Sequence, residues 1–141
     1  MRIKFLSPDE VDTYWLDVEH LYRRCVDKAC HDEYDTADIY RMAKAGQWTL
    51  GVAFTDMDIP FMAIAFEIIP YPSGKVGCNV LAMGGKNLEQ YMRNFLDKFI
   101  HWCNQSGINW IECAVSAGME RIHKRYGFNT VYRHMRLTTK E

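Results

Sequence analysis

The chain has 141 residues, 48% of them hydrophobic and 25% charged, with a formal net charge of -1, the profile of one globular domain able to bury a core without cross-links. Those values exclude a disordered chain, and no apolar run reaches the roughly 18–20 residues that a membrane-spanning helix needs. The opening MRIKFLSPDE holds no apolar stretch of signal-peptide length, so a single soluble, cytoplasmic domain is expected.

Ile3-Lys4-Phe5-Leu6 reads as a short strand. Ser7, Pro8 and Glu10 follow as N-cap, first helical residue and capping-box acid. Val11, Tyr14, Trp15, Val18, Leu21, Tyr22 and Cys25 then recur with helical period, to about Val26. An acidic segment with Asp32, Glu33, Asp35 and Asp38 leads to a second helix, capped by Asp35 or Thr36 and stopped at Gly46. From Trp48 the period changes. WTLGVAF, PFMAIAFEII and residues 76–83 are apolar runs of strand length separated by turns at residues 55–60 and 70–75, which predicts three antiparallel strands buried on both faces.

A long helix is predicted after Gly84-Gly85, with Asn87 as its cap. Leu88, Tyr91, Met92, Phe95, Leu96, Phe99, Trp102 and Cys103 fall on one face, and Gly107 ends it. A strand over 109–115 comes next, and a crossover of this length lays it parallel to 76–83. A short helix over 117–126, closed by Gly127, and a last strand over 130–137 complete the chain.

Cys25, Cys30, Cys78, Cys103 and Cys113 form no C-x-x-C pair and fall mostly on apolar faces, which points to reduced thiols and no metal. Residues 1–70 carry 7 basic and 13 acidic side chains and residues 71–141 carry 10 and 5, so opposite-signed halves either pair with each other or leave an anion site in the second half. Arg121, Lys124, Arg125, Arg133, His134 and Arg136 make too small a footprint to predict nucleic acid as a partner.

The order of elements, with the Gly84-Gly85 turn and a helix closing on Tyr126-Gly127-Phe128, resembles the GNAT N-acetyltransferase superfamily. More narrowly it is similar to small phage-encoded GNAT-like proteins, through Tyr71-Pro72, Gly84-Gly85 and Gly127-Phe128. The resemblance implies an α/β (α+β) fold: a mixed sheet with an antiparallel meander, a parallel strand pair joined by a long helix, and helices on both faces. It also implies acetyl-CoA as cofactor, lying against Met83, Gly84, Gly85, Lys86 and Asn87, and a small-molecule or protein amine as acceptor.

A glycine turn at a helix N-terminus suits a pyrophosphate on physical grounds too, because bare backbone N–H groups, the helix dipole and Lys86 converge there. The same glycines also serve a tight turn that needs positive φ, and the superfamily's usual phosphate loop is absent from Leu81-Ala82-Met83-Gly84-Gly85-Lys86. Acetyl transfer to an amine needs a base and a proton donor. Glu67 and Glu112 are the candidate bases, Glu112 alternatively pairing with an arginine. His123 stands where the superfamily often has a tyrosine donor, and Tyr126 precedes the closing glycine. The acidic Asp32-Glu33-Asp35-Asp38 cluster reads either as an attractor for a cationic amine or as a solvated loop. Two readings therefore stand at this point: an acetyl-CoA-dependent N-acetyltransferase with a degenerate cofactor loop, or a non-catalytic phage structural, internal virion or interaction protein. Phage origin would place it in the host cytoplasm or the virion, with virion proteins as partners; the oligomeric state is left open.

Overall fold

The computed structural model describes residues 1–30 and 32–140. In chain order they form β1 (Arg2–Leu6), a 3-10 turn (Pro8–Glu10), α1 (Val11–Ala29), α2 (Thr36–Lys44), β2 (Thr49–Phe54) and β3 (Pro60–Pro70). Then follow β4 (Val76–Gly85), α3 (Leu88–Gln105), β5 (Trp110–Cys113) and α4 (Ala117–Arg125). One sheet holds all five strands in sequence order. Neighbours are antiparallel except β4 and β5, which run parallel across the α3 crossover.

Local chemistry explains the boundaries. Ser7 and Glu10 form the capping box in front of α1, with the Glu10 carboxylate accepting from the Ser7 N–H at 3.1 Å. Asp35 and Asp38 cap α2 reciprocally. Because β2, β3 and β4 are apolar on both faces, helices must cover both. On one side α1 and α2 set Val11, Val18, Leu21, Tyr22, Ile39 and Ala43 against Leu50, Val52, Ala63, Ala65 and Ala82. On the other, α3 sets Phe95, Phe99 and Cys103 against Met62, Ile64, Phe66 and Cys78. The Tyr22 hydroxyl lies wholly inside the first cluster and is shared by the carbonyls of Gly51, at 3.2 Å, and Ile64, at 3.0 Å. Among the described residues no helix is long and apolar enough to cross a membrane.

Four expectations are corrected. Residues 130–137 are not a strand: the whole of 129–140 is exposed and joins no ladder, since an apolar-rich run becomes a strand only where an edge receives it. Gly84 and Gly85 are not a loop but the last two residues of β4, paired with Ala63 and Met62. Asn87 occupies the cap position of α3 in left-handed backbone, φ 57° and ψ 38°, and its side chain makes no capping bond. β5 is shorter than the 109–115 read from the sequence, and its four residues match the length over which β4 accompanies it.

Gly85 is required by its surroundings. Its φ is +150°, and a Cβ there would stand 2.2 Å from the Phe61 carbonyl oxygen and 2.7 Å from the Met62 Cα, so backbone rather than a flexible side chain would have to move. Gly85→Ala should therefore cost about 3 kcal/mol or more in urea unfolding. Gly118→Ala, in α4 with nothing within 4 Å, should instead be neutral or stabilising by up to about 1 kcal/mol.

The Glu10 carboxyl is held down to about 2, first by the Lys4 ammonium at 2.6 Å and then by the Ser7 backbone N–H. A depressed folded pKa gives stability that is present above the ordinary value of 4.5 and is lost as pH falls toward 2. Carboxyl NMR should find the Glu10 midpoint near 2, and Glu10→Gln should flatten the acid limb of stability across that window.

Candidate active site

β4 and β5 keep company for four residue pairs, from Gly77 opposite Trp110 to Val80 opposite Cys113, after which β5 ends. β4 continues to Gly85, still paired with β3. The two parallel strands thus part beyond Val80, and among the described residues the far end of β4 has no strand on that side.

α3 begins at that open end. The Lys86 N–H donates to the Phe61 carbonyl at 2.9 Å, fixing the exit from β4. With the Asn87 side chain not capping, the first-turn N–H groups of Leu88, Glu89 and Gln90 are left for solvent or a ligand. They border an open depression of about 620 Å³ lined by Gly85, Asn87, Leu88, Glu89 and Gln90. The positive end of an 18-residue helix and the Lys86 ammonium both favour an anion there, while Glu89 opposes it. Of the residues read as a cofactor site, Met83 packs on the α3-side cluster. Gly84 lets β4 approach α1, where a Cβ would lie 2.6 Å from the Cys25 sulfur. Asn87 lines the depression at the start of α3, and Lys86, exposed, precedes it in the chain.

Tyr34, which the sequence reading passed over, reaches from the α1–α2 loop and donates its hydroxyl to the Leu81 carbonyl, just past the parting point. Its ring packs edge-on against Trp48, and burial raises its phenol pKa. Its only sequence signal is an aromatic set among acids.

The two candidate carboxylates are brought into one row. Glu67 on β3 stands opposite Asn79 on β4, which stands opposite Glu112 on β5, so all three project from the same face of the sheet. The Asn79 amide donates to Glu67 Oε1 at 3.0 Å. Glu112 accepts from the Tyr71 hydroxyl at 2.7 and 2.9 Å and from the Trp110 indole N–H at 2.5 Å. Its partners are therefore a phenol and an indole, not the arginine weighed as an alternative. Gly77 makes room for them: a Cβ there would lie 2.4 Å from Glu112 Oε2 and 2.7 Å from Trp110 Nε1. Asn79 and Trp110 were not legible as site residues, because each sits in an apolar run whose cross-strand register the sequence does not display.

His123 and Tyr126 lie on α4 and at its end. His123 Nδ1 is 2.8 Å from the Met119 carbonyl, and the ring meets Phe128 edge-on. The Arg93 guanidinium of α3 sits over the Tyr126 ring at 4.9 Å. Among the described residues no hydrogen bond joins either side chain to Glu67 or Glu112. The acidic loop is engaged in structure: Asp38 receives Arg41 at 2.9 Å and Glu33 receives Arg136 at 3.5 Å.

No family model and no curated protein matches the sequence. Solved structures do match the fold. A probable acetyltransferase is 12% identical over 100% of this chain and 99% of its own, with a TM-score of 0.73. An aminoglycoside acetyltransferase from an uncultured soil metagenomic sample, in complex with trehalose, is 9% identical over 99% and 96%, with a TM-score of 0.71. A predicted acetyltransferase with acetyl-CoA from Clostridium acetobutylicum is 13% identical over 97% and 95%, with a TM-score of 0.65. The fold is that of the GNAT acetyltransferases, with a mixed five-stranded sheet and one parallel pair.

Accepting the Tyr71 hydroxyl's proton in a hydrogen bond, the Glu112 carboxylate raises the Tyr71 pKa above the ordinary 10. Stability linked to the protonated phenol is complete below pH 10 and is lost as pH rises through the folded value. Ring-carbon NMR should place Tyr71 above 10, and Glu112→Gln should bring it back toward 10.

Proposed function

We propose that the protein is an N-acetyltransferase that takes acetyl-CoA where β4 and β5 part and acetylates a cationic amine held by the Glu67–Asn79–Glu112 row. What supports this most is a juxtaposition: the strands separate one residue pair beyond that row, and the far end of β4 runs straight into the uncapped first turn of α3.

The residues present fit the cofactor's diphosphate. Three first-turn N–H groups, Leu88 to Gln90, and Lys86 would hold it, and bound acetyl-CoA supplies an activated acetyl thioester. In this reading the phosphates rest on the helix turn rather than on the Gly pair, which is the sense in which the cofactor loop is degenerate. An ammonium cannot attack a carbonyl until it loses a proton. Glu67 suits that task, because Oε1 is held by Asn79 while Oε2 has no donor among the described residues. Glu112, with both oxygens engaged, would orient the cation electrostatically. Tyr126 or His123 on α4 would return a proton to the departing thiolate. The neighbours named as acetyltransferases support the class of reaction, and the narrower phage likeness rests on Tyr71-Pro72, Gly84-Gly85 and Gly127-Phe128 alone.

A second reading, a non-catalytic interaction or virion protein on the same fold, draws on one observation: no described residue beyond Ile108 is buried. Acetyl-CoA titration separates the two. The first reading expects calorimetric heat and, at 100 times Kd, about 2.7 kcal/mol of added stability; no heat and no melting shift at millimolar acetyl-CoA would leave the second. Lys86→Ala should weaken binding about tenfold without unfolding the chain. Glu67→Gln should leave acetyl-CoA binding intact but lower thiol release with a panel of primary amines by roughly 10²–10⁴-fold.

A further inference from the structure

One pleat from the Glu67–Asn79–Glu112 row lies a second row, Ile69 opposite Gly77 opposite Trp110. Cys78, between the two rows on β4, points into the α3-side cluster, so both rows face the α1 side of the sheet. Tyr71, just past β3, joins them: its ring centroid is 5.4 Å from that of Trp110, with the planes 39° apart. Gly77 permits the grouping. A Cβ there would lie 2.4 Å from Glu112 Oε2, 2.7 Å from Trp110 Nε1 and 2.9 Å from Tyr71 Cε2, so both rings and the carboxylate rest on bare backbone.

Neither ring belongs to the two apolar clusters. Trp110 is 42% exposed, yet its indole N–H is held by Glu112 at 2.5 Å, and the Tyr71 hydroxyl is held by the same carboxylate at 2.7 and 2.9 Å. An aromatic fixed by its polar edge presents its face to solvent in one orientation. Among the described residues no Lys or Arg forms an ion pair with Glu67 or Glu112. Two carboxylates about 10 Å apart across two strand spacings, one of them flanked by electron-rich ring faces, call for two positive charges on one ligand.

We propose that Tyr71, Trp110 and Glu112 form a guanidinium subsite, and that the acceptor is a small guanidinoalkylamine with its amine at Glu67 and its guanidinium stacked on Trp110 beside Glu112. This rests on the acetyl-transfer reading and names its substrate class. A guanidinium suits the place better than a second ammonium, because it is planar and weakly hydrated and one ring face can cover it. An ammonium brings three donors to satisfy, and Glu112 already receives three bonds. A quaternary ammonium is held by a cage of rings, whereas two rings 39° apart make one splayed face. Glu112 thus sets the tilt of Trp110 and supplies the charge beside it, while the span to Glu67 selects the length of the ligand.

The first test needs no cofactor. The full chain is titrated with ethylguanidinium and, separately, ethylammonium, followed by NMR at the Trp110 indole N–H and the Tyr71 ring carbons. Ethylguanidinium should move both signals with a dissociation constant at least fivefold below that of ethylammonium. Trp110→Leu, read at Tyr71, should erase the preference; Trp110→Phe, the milder change, should reduce it without abolishing it, and serves if Trp110→Leu fails to fold. With acetyl-CoA present, kcat/KM for guanidinoalkylamines should exceed that for alkylamines of equal length at least tenfold, with an optimum at one chain length. Equal response to the two cations, or a preference that survives Trp110→Leu, would overturn the subsite. A preference for an arginine-bearing peptide over every guanidinoalkylamine would overturn the small-molecule class. Because the titration involves neither cofactor nor turnover, its failure leaves the transferase reading standing, and failure of acetyl-CoA to bind leaves the guanidinium subsite standing.

Discussion

The absence of side chains at Gly84 and Gly85 governs the middle of this molecule. There β4 is pressed against the β3 backbone on one side and against Cys25 of α1 on a face, at separations a Cβ would not permit. Held that way, β4 follows β3 to its last residue and parts from the shorter β5. The cleft and the start of α3 are both consequences of that contact. Tyr22 secures the same assembly from the helix side, sharing one hydroxyl between carbonyls of β2 and β3. Removing either contact would loosen the frame before it touched any chemistry.

Much of the frame was readable because its signals are local. Ser7-Pro8 and Glu10, the α1 and α3 stripes and the switch to continuous apolar runs at Trp48 each act within a few residues, and each element lies within a few residues of where those signals put it, α1 itself running from Val11, behind the Pro8–Glu10 3-10 turn, to Ala29 rather than to about Val26. Three things were not readable, for one reason: they depend on partners distant in sequence. The Gly pair looks like a loop until β3 is known to lie 2.2 Å from where a side chain would be. The Glu67–Asn79–Glu112 row exists only through the register of three strands. Residues 130–137 have the composition of a strand, but no ladder among the described residues receives them. Glu67 and Glu112 were nameable from sequence as acids in apolar strands; that they stand two strands apart on one face was not.

The proposed site divides its charges by place. Carboxylates gather on the β3–β5 row near the end of β5, and bare N–H groups with Lys86 gather at the far end of β4. A cation and an anion would thus be drawn to opposite ends of one short cleft, an arrangement that suits a reaction joining an amine to a phosphate-bearing donor. Folds of this type host many functions, so the division of charge, more than the architecture, carries the functional reading.

Glu33 and Tyr34 are neighbours in the chain with attachments in two directions: Glu33 to Arg136 near the C-terminal end of the described residues, Tyr34 to the Leu81 carbonyl where β4 leaves β5 behind. A single peptide unit therefore ties the C-terminal segment to the free end of β4. A displacement imposed at either attachment would be resisted at the other, so two stretches of chain that never touch in the sheet are mechanically joined through one dipeptide.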